Sequence, residues 1–160
     1  MFGTLDNPEI ESVLNQQYIG RLGCSAEGRT YIVPISYAYD GDYLYFHAAN
    51  DGTKIQIMRE NPEVCFQTDV MENMACWKSV ICQGTFEEVT AEEERANALK
   101  VLLHRELPII ASQTVKLTPS WPFHPDNLND IKGIVFRVRI TEKTGRFETI
   151  RKVAGINAFV

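Results

Sequence analysis

Asp40-Gly41-Asp42 separates two extended runs and constrains the fold more than any other short feature of this chain. Glycine between acidic residues at such a junction signals a tight hairpin, because the turn needs a positive φ that glycine adopts without strain. The run that follows, residues 43–49, alternates: Leu44, Phe46 and Ala48 face one way, and Tyr43, Tyr45 and His47 the other. The run that precedes it, residues 30–39, contains Pro34. Proline has no N–H to give to a ladder, so it marks an edge, a bulge or a place where no ladder bond forms.

Four further runs read as strands: residues 20–26, 63–70, 77–89 and 133–140. Gly84 inside the long fifth strand predicts a bulge or a close approach. In the sixth strand Ile134, Phe136, Val138 and Ile140 share one face, and Arg137 and Arg139 the other, where they serve as dimer salt bridges or as a solvated surface. The polar residues 71–75 predict a loop, residues 141–145 a turn, and the tail from Arg146 a short added strand. Helices are few. Asn7-Pro8-Glu9 gives an N-cap, a proline at the first helical position and an acid in the first turn. A second helix spans residues 53–60 and stops at Asn61-Pro62. Thr90-Ala91-Glu92-Glu93 has a capping-box pattern, and Leu99, Leu102 and Leu103 give the helix after it an apolar face. Glu92-Glu93-Glu94 reads as a solvated helix start favoured by the dipole. Strands joined mostly by hairpins, with few helices, predict a mainly β fold: an antiparallel barrel with helices around it.

The 160 residues favour a single domain, 1–160, with an irregular loop over residues 108–131. Pro119, Pro122 and Pro125 surround Trp121, Phe123 and His124 in that loop. A net charge of -5 without a basic run argues against nucleic acid as the main partner. Cys24, Cys65, Cys76 and Cys82 form no C-x-x-C pair, and His47, His104 and His124 are far apart, which argues against a zinc site. No secretory signal and no run of about 20 apolar residues is visible, so no membrane segment is expected. A cytoplasmic location with reduced thiols follows as the expectation.

Chemistry concentrates after the alternating strand. Residues 50–52, Asn-Asp-Gly, form a short loop, and Thr53-Lys54 opens a helix. A helix start offers unpaired N–H groups and partial positive charge, to which Thr53 adds a hydroxyl and Lys54 a full charge. That combination suits a phosphate, and so a phosphorylated cofactor.

Five segments then occur in a distinctive order: Ile32-Val33-Pro34-Ile35-Ser36-Tyr37, Leu44-Tyr45-Phe46-His47-Ala48-Ala49, Gly52-Thr53-Lys54, Asn61-Pro62-Glu63-Val64-Cys65-Phe66, and Trp77-Lys78-Ser79-Val80-Ile81-Cys82-Gln83-Gly84. In order and spacing they resemble the split-barrel proteins related to pyridoxamine 5'-phosphate oxidase, and most closely the branch that includes nitroimidazole-resistance proteins. The resemblance implies a six-stranded antiparallel split β-barrel with flanking helices. It also implies a homodimer with FMN at the subunit interface and residues of both subunits around each flavin. On the matching positions, Thr53 and Lys54 would hold the FMN phosphate, and the backbone of Val33, Pro34 and Ile35 would line the isoalloxazine ring. His47 and Ala48 would lie beside the ribityl chain or ring, and Trp77, Lys78 and Ser79 would approach the flavin. Pyridoxamine phosphate oxidase itself uses a longer basic set, which has no clear counterpart near this C-terminus, so its substrate does not carry over.

Two readings stand for His47. It contacts flavin or substrate and moves a proton near neutral pH, the candidate catalytic role, or it is a hydrogen-bonded histidine at a barrel end. Trp121 either covers the partner's flavin or, more plainly, anchors its loop. The resemblance implies an FMN-dependent oxidoreductase that reduces a small acceptor such as a nitroaromatic. There is no Rossmann fingerprint, so a nicotinamide donor would use the open flavin face. The alternative is a non-catalytic split-barrel module that binds flavin, haem or a related cofactor.

Overall fold

The computed structural model describes residues 1–105 and 127–150. Eight strands and three helices follow in the order β1 (Phe2–Thr4), α1 (Asn7–Gln16), β2 (Ile19–Ala26), β3 (Arg29–Ser36), β4 (Ala38–Tyr39), β5 (Tyr43–Ala48), α2 (Thr53–Glu60), β6 (Glu63–Asn73), β7 (Cys76–Glu88), α3 (Glu92–Leu103) and β8 (Ile134–Glu148). A single 3-10 turn, Leu128–Asp130, precedes β8. Residues 108–126 of the expected irregular loop, with Trp121 and His124, lie outside the described residues.

All strand pairs are antiparallel, in the order β3-β2-β6-β7-β8-β5-β4, with β1 added to β8. The two ends of this path, β3 and β4, are consecutive in the chain and meet at Tyr37. The sheet thus curves round on itself and is joined at that corner by covalent chain, not by a ladder. Tyr37 is pinned there: its N–H donates to Tyr18 O (3.2 Å) and its hydroxyl to Leu14 O (2.8 Å). Its ring lies edge-on to Phe66 at 4.7 Å. The mainly β, split-barrel-like fold is the expected one, with eight strands in place of six.

Several local expectations change. The extended run of residues 30–39 breaks at Tyr37 and not at Pro34, because Pro34 sits on the edge strand, where no ladder bond is lost. Residues 141–145 are not a turn but the interior of the 15-residue β8. Gly145 serves a close approach: a Cβ there would stand 2.8 Å from Leu5 and 3.0 Å from Ile10. Residues 71–73 continue β6, leaving Met74 and Ala75 as the turn. Asp6 and not Asn7 caps α1, in a capping box with Glu9. Ala91 caps α3 without a side-chain bond, so the expected box at Thr90 does not form.

The alternation of β5 divides two cores. Leu44, Phe46 and Ala48 enter the barrel interior with Leu22, Phe66, Val80, Phe136 and Val138. Phe46 stacks on Phe136 at 5.0 Å, a pair worth about 0.5–1.5 kcal/mol beyond its burial. Tyr45 instead faces outward into a second core formed with α3, through Leu99, Leu102, Ile131 and Val135. Gly84 lies at a register shift between β7 and β8, as expected for a bulge.

Candidate functional site

The first half of the site is an unpaired sheet edge. β3 pairs with β2 on one side and, among the described residues, has no strand on the other. Alternate backbone N–H and C=O groups along such an edge are free to bond a planar polar ring. Val33, Pro34 and Ile35 lie on this strand; Pro34 is exposed, while Ile35 is buried in the barrel core. Within β5, Tyr45 and Leu44 pair with β4, but Phe46, His47 and Ala48 pair only with β8. The barrel is therefore open between β3 and the last part of β5, and α2 follows directly from there.

The second half is the start of α2. Gly52 occupies the N-cap position and has no side chain to cap it. The first bonds of the helix run from Ile55 and Gln56 N–H to Gly52 O (3.0 and 3.2 Å). The Thr53 and Lys54 N–H groups precede those bonds and point out of the first turn. Ile55 and Met58 are fully buried and fix the opposite side of the helix in the barrel. Lys54 lies within electrostatic reach of both Cys24 and His47. Cys24 pairs with Tyr31 of β3, so the lysine charge stands near the β2–β3 hairpin as well as the end of β5.

His47 is buried, and its Nε2 lies 2.6 Å from Lys132 O. A carbonyl only accepts, so Nε2 carries the proton and donates it. Burial pulls the imidazole pKa below its usual value against the opposing pull of that bond, and the Arg95 and Lys54 charges act in the same direction as burial. The ring is thus a neutral tie between β5 and the segment before β8. Ala48, its neighbour, faces the barrel interior.

Trp77, Lys78 and Ser79 stand elsewhere. Trp77 Nε1 donates to Glu148 (3.1 Å), and Lys78 Nζ to Glu9 of α1 (3.1 Å). Both line a cleft of about 260 Å³ that includes Val70 and Phe147. Ser79 accepts from Gln67 (3.0 Å), which also donates to Asp69 (3.0 Å), itself paired with Arg21 (2.5 Å). Arg21 is opposite Pro34 in the ladder. Ser79 and Pro34 consequently share the outer face, three strands apart, or about 14 Å at the usual spacing. One protomer brings Thr53, Lys54, the β3 edge and the end of β5 to one opening; it does not bring Trp77–Ser79 there.

Sequence reading passed over Arg21, Asp69 and Gln67, whose connection requires the register of three strands. It also passed over Arg59, Asp51 and Glu88, which join α2 to its loop and to β7. Arg137 and Arg139 form their ion pairs within the chain, both with Glu87 (2.7 and 3.1 Å). Arg137 also reaches Glu94 at 3.6 Å.

Known proteins share this architecture. The family model for pyridoxamine 5'-phosphate oxidase matches residues 6–147. An uncharacterized protein of Rhizobium meliloti is 32% identical over 150 residues, covering 89% of this chain and 92% of the relative. The crystal structure of an FAD-binding protein from Mesorhizobium loti superposes with a TM-score of 0.70 at 32% identity, over 93% of this chain and 99% of that one. A protein from Bacteroides thetaiotaomicron, described as a candidate 5-nitroimidazole antibiotic resistance protein, has the same fold at a TM-score of 0.68 and 22% identity, over 92% of this chain and 87% of that one. On the match across residues 6–147, the chain belongs to the pyridoxamine 5'-phosphate oxidase family.

Proposed function

We propose that this protein is an FMN-binding oxidoreductase that acts as a homodimer and reduces a small acceptor, such as a nitroaromatic. The observation that carries the reading is the opening where the free edge of β3 meets the uncapped start of α2. Its donor set fits the proposed group: main-chain polar groups for a flavin ring, and two first-turn N–H groups, a hydroxyl and an ammonium for a phosphate. The 32%-identical FAD-binding relative supports a flavin. The choice of FMN rests on the terminal phosphate that Thr53 and Lys54 would hold.

When bound, the flavin would supply the electron transfer, and the protein supplies position and electrostatics. The main chain of Val33, Pro34 and Ile35 would line the ring edge, where Pro34 removes an N–H that the ring could not satisfy. For His47 we propose a positioning role, since its proton is committed to Lys132 O. Trp77, Lys78 and Ser79 would reach the flavin from the partner, across a dimer made by the outer face of β3, β2, β6 and β7. That face carries exposed apolar side chains, among them Ile19, Ile32, Met71 and Ile81, in keeping with an interface. The described cysteines are free thiols and no described helix is long and apolar enough to cross a membrane; we place the protein in the cytoplasm.

Anaerobic titration of the flavin-loaded protein tests the activity. NADH or NADPH is expected to bleach the flavin absorbance, and a nitroaromatic is expected to restore it. A flavin that no donor reduces would contradict the oxidoreductase reading and favour a ligand-binding module.

A further inference from the structure

Arg59, in the last turn of α2, holds two carboxylates at once. Its Nε and Nη2 donate to the two oxygens of Glu88 (2.9 and 2.8 Å), and its Nη1 donates to Asp51 (2.7 Å). The bidentate pair fixes the plane of the guanidinium. Glu88 belongs to the last register pair of β7 with β8, opposite Phe136, whose side chain is fully buried. Asp51 immediately precedes Gly52, the N-cap of α2. Through one side chain, the loop ahead of the helix, the helix itself and the end of the β7–β8 ladder become a single unit.

That connection acts on the start of α2 in two ways. The helix has eight residues, too few to persist without external contacts. Ile55 and Met58 secure its inner side, while Arg59 secures the exposed side and the loop. The second effect is electrostatic. The Asp51 carboxylate is two residues from Thr53 and would repel a phosphate bound at the helix start. Arg59 offsets that charge and keeps the carboxylate turned toward the guanidinium.

We infer that Arg59 is a positioning residue for the phosphate loop: through Asp51 and Glu88 it sets the Thr53 and Lys54 donors for an anion and lowers the repulsion that the anion meets. This rests on the phosphate site proposed above. Burial and contact with the phosphate itself are not required of Arg59, whose side chain is 41% exposed.

FMN and riboflavin differ only by the phosphate, so the ratio of their affinities isolates the effect. Each is titrated by fluorescence into flavin-free full-length protein. Wild type is expected to prefer FMN. Arg59→Ala is expected to weaken FMN about tenfold and leave riboflavin unchanged, lowering the ratio about tenfold. Arg59→Lys keeps the charge without the fork and is expected to recover part of the preference. Glu88→Gln, which breaks the bidentate pair by a smaller change, is expected to lower the ratio about threefold. Parallel weakening of both flavins would assign Arg59 a merely structural role and overturn the inference. An unchanged ratio in Arg59→Ala, beside a collapsed ratio in Lys54→Ala, would overturn it too while leaving the phosphate site in place. Wild type that binds the two flavins equally would overturn the phosphate site, and the inference with it.

Discussion

Lys54 and His47 lie seven positions apart, and the structure gives them different work. Lys54 stands at the start of a helix with its charge near the opening of the barrel. His47 is buried and gives its proton to a backbone carbonyl. The pH dependence of stability follows from that burial. The folded imidazole has a pKa below 6.5, its usual value in the unfolded chain. As pH falls through 6.5, the unfolded state takes up a proton before the folded state does. Stability from neutral His47 is therefore complete above that value and declines as pH drops toward the folded pKa. Urea denaturation is expected to give a lower unfolding free energy at about pH 5.5 than at about pH 7.5. His47→Gln retains an amide donor and cannot titrate, so its dependence should be shallower. Identical slopes for the two proteins would remove His47 as the source.

Elements differ in how plainly the sequence declares them. The bounds of α2, residues 53–60, are legible because an uncapped Gly-Thr start and an Asn-Pro stop are local signals. So is β5, whose alternation serves two cores with opposite faces. Residues 141–145 mislead, because a polar Thr-Glu-Lys-Thr-Gly run resembles a turn when its neighbours are unknown. In the fold, Lys143 binds Glu11 and the Tyr39 hydroxyl, and Gly145 lies under Leu5 and Ile10. β1 is three residues long and leaves no period to detect. Of the candidate site, Thr53 and Lys54 are marked locally and Pro34 marks an edge, but the Arg59–Asp51–Glu88 unit joins residues that only the fold makes neighbours. Gly84 tests the packing account directly. A Cβ there would lie 2.5 Å from the Arg139 carbonyl oxygen, a backbone atom with little freedom to move. Gly84→Ala is expected to destabilise by about 1–3 kcal/mol in denaturant unfolding. A change within experimental error would mean that β7 and β8 are not so close.

At the scale of the molecule, the barrel carries its proposed chemistry in two separated parts. The β3 edge and the α2 start share one opening, whereas Trp77 and Ser79 occupy another region of the outer face and Lys78, on the opposite face of β7, pairs with Glu9 of α1. A symmetric pair made through that face would use the same patch on each protomer. Ile32, on β3 at the border of that face, is 65% exposed and lies opposite Gly23 of β2 in the ladder. Ile32→Glu is expected to convert the proposed dimer to a monomer in light scattering and to lower flavin occupancy with it. A variant that remains dimeric would place the interface on another face.

The proposed binding of FMN is tested by the visible absorption spectrum of the purified protein together with the mass of the released cofactor. Flavin bands and the mass of FMN are expected, either as isolated or after FMN is added. A protein that carries no flavin and gains none, or that shows a haem band, would contradict it.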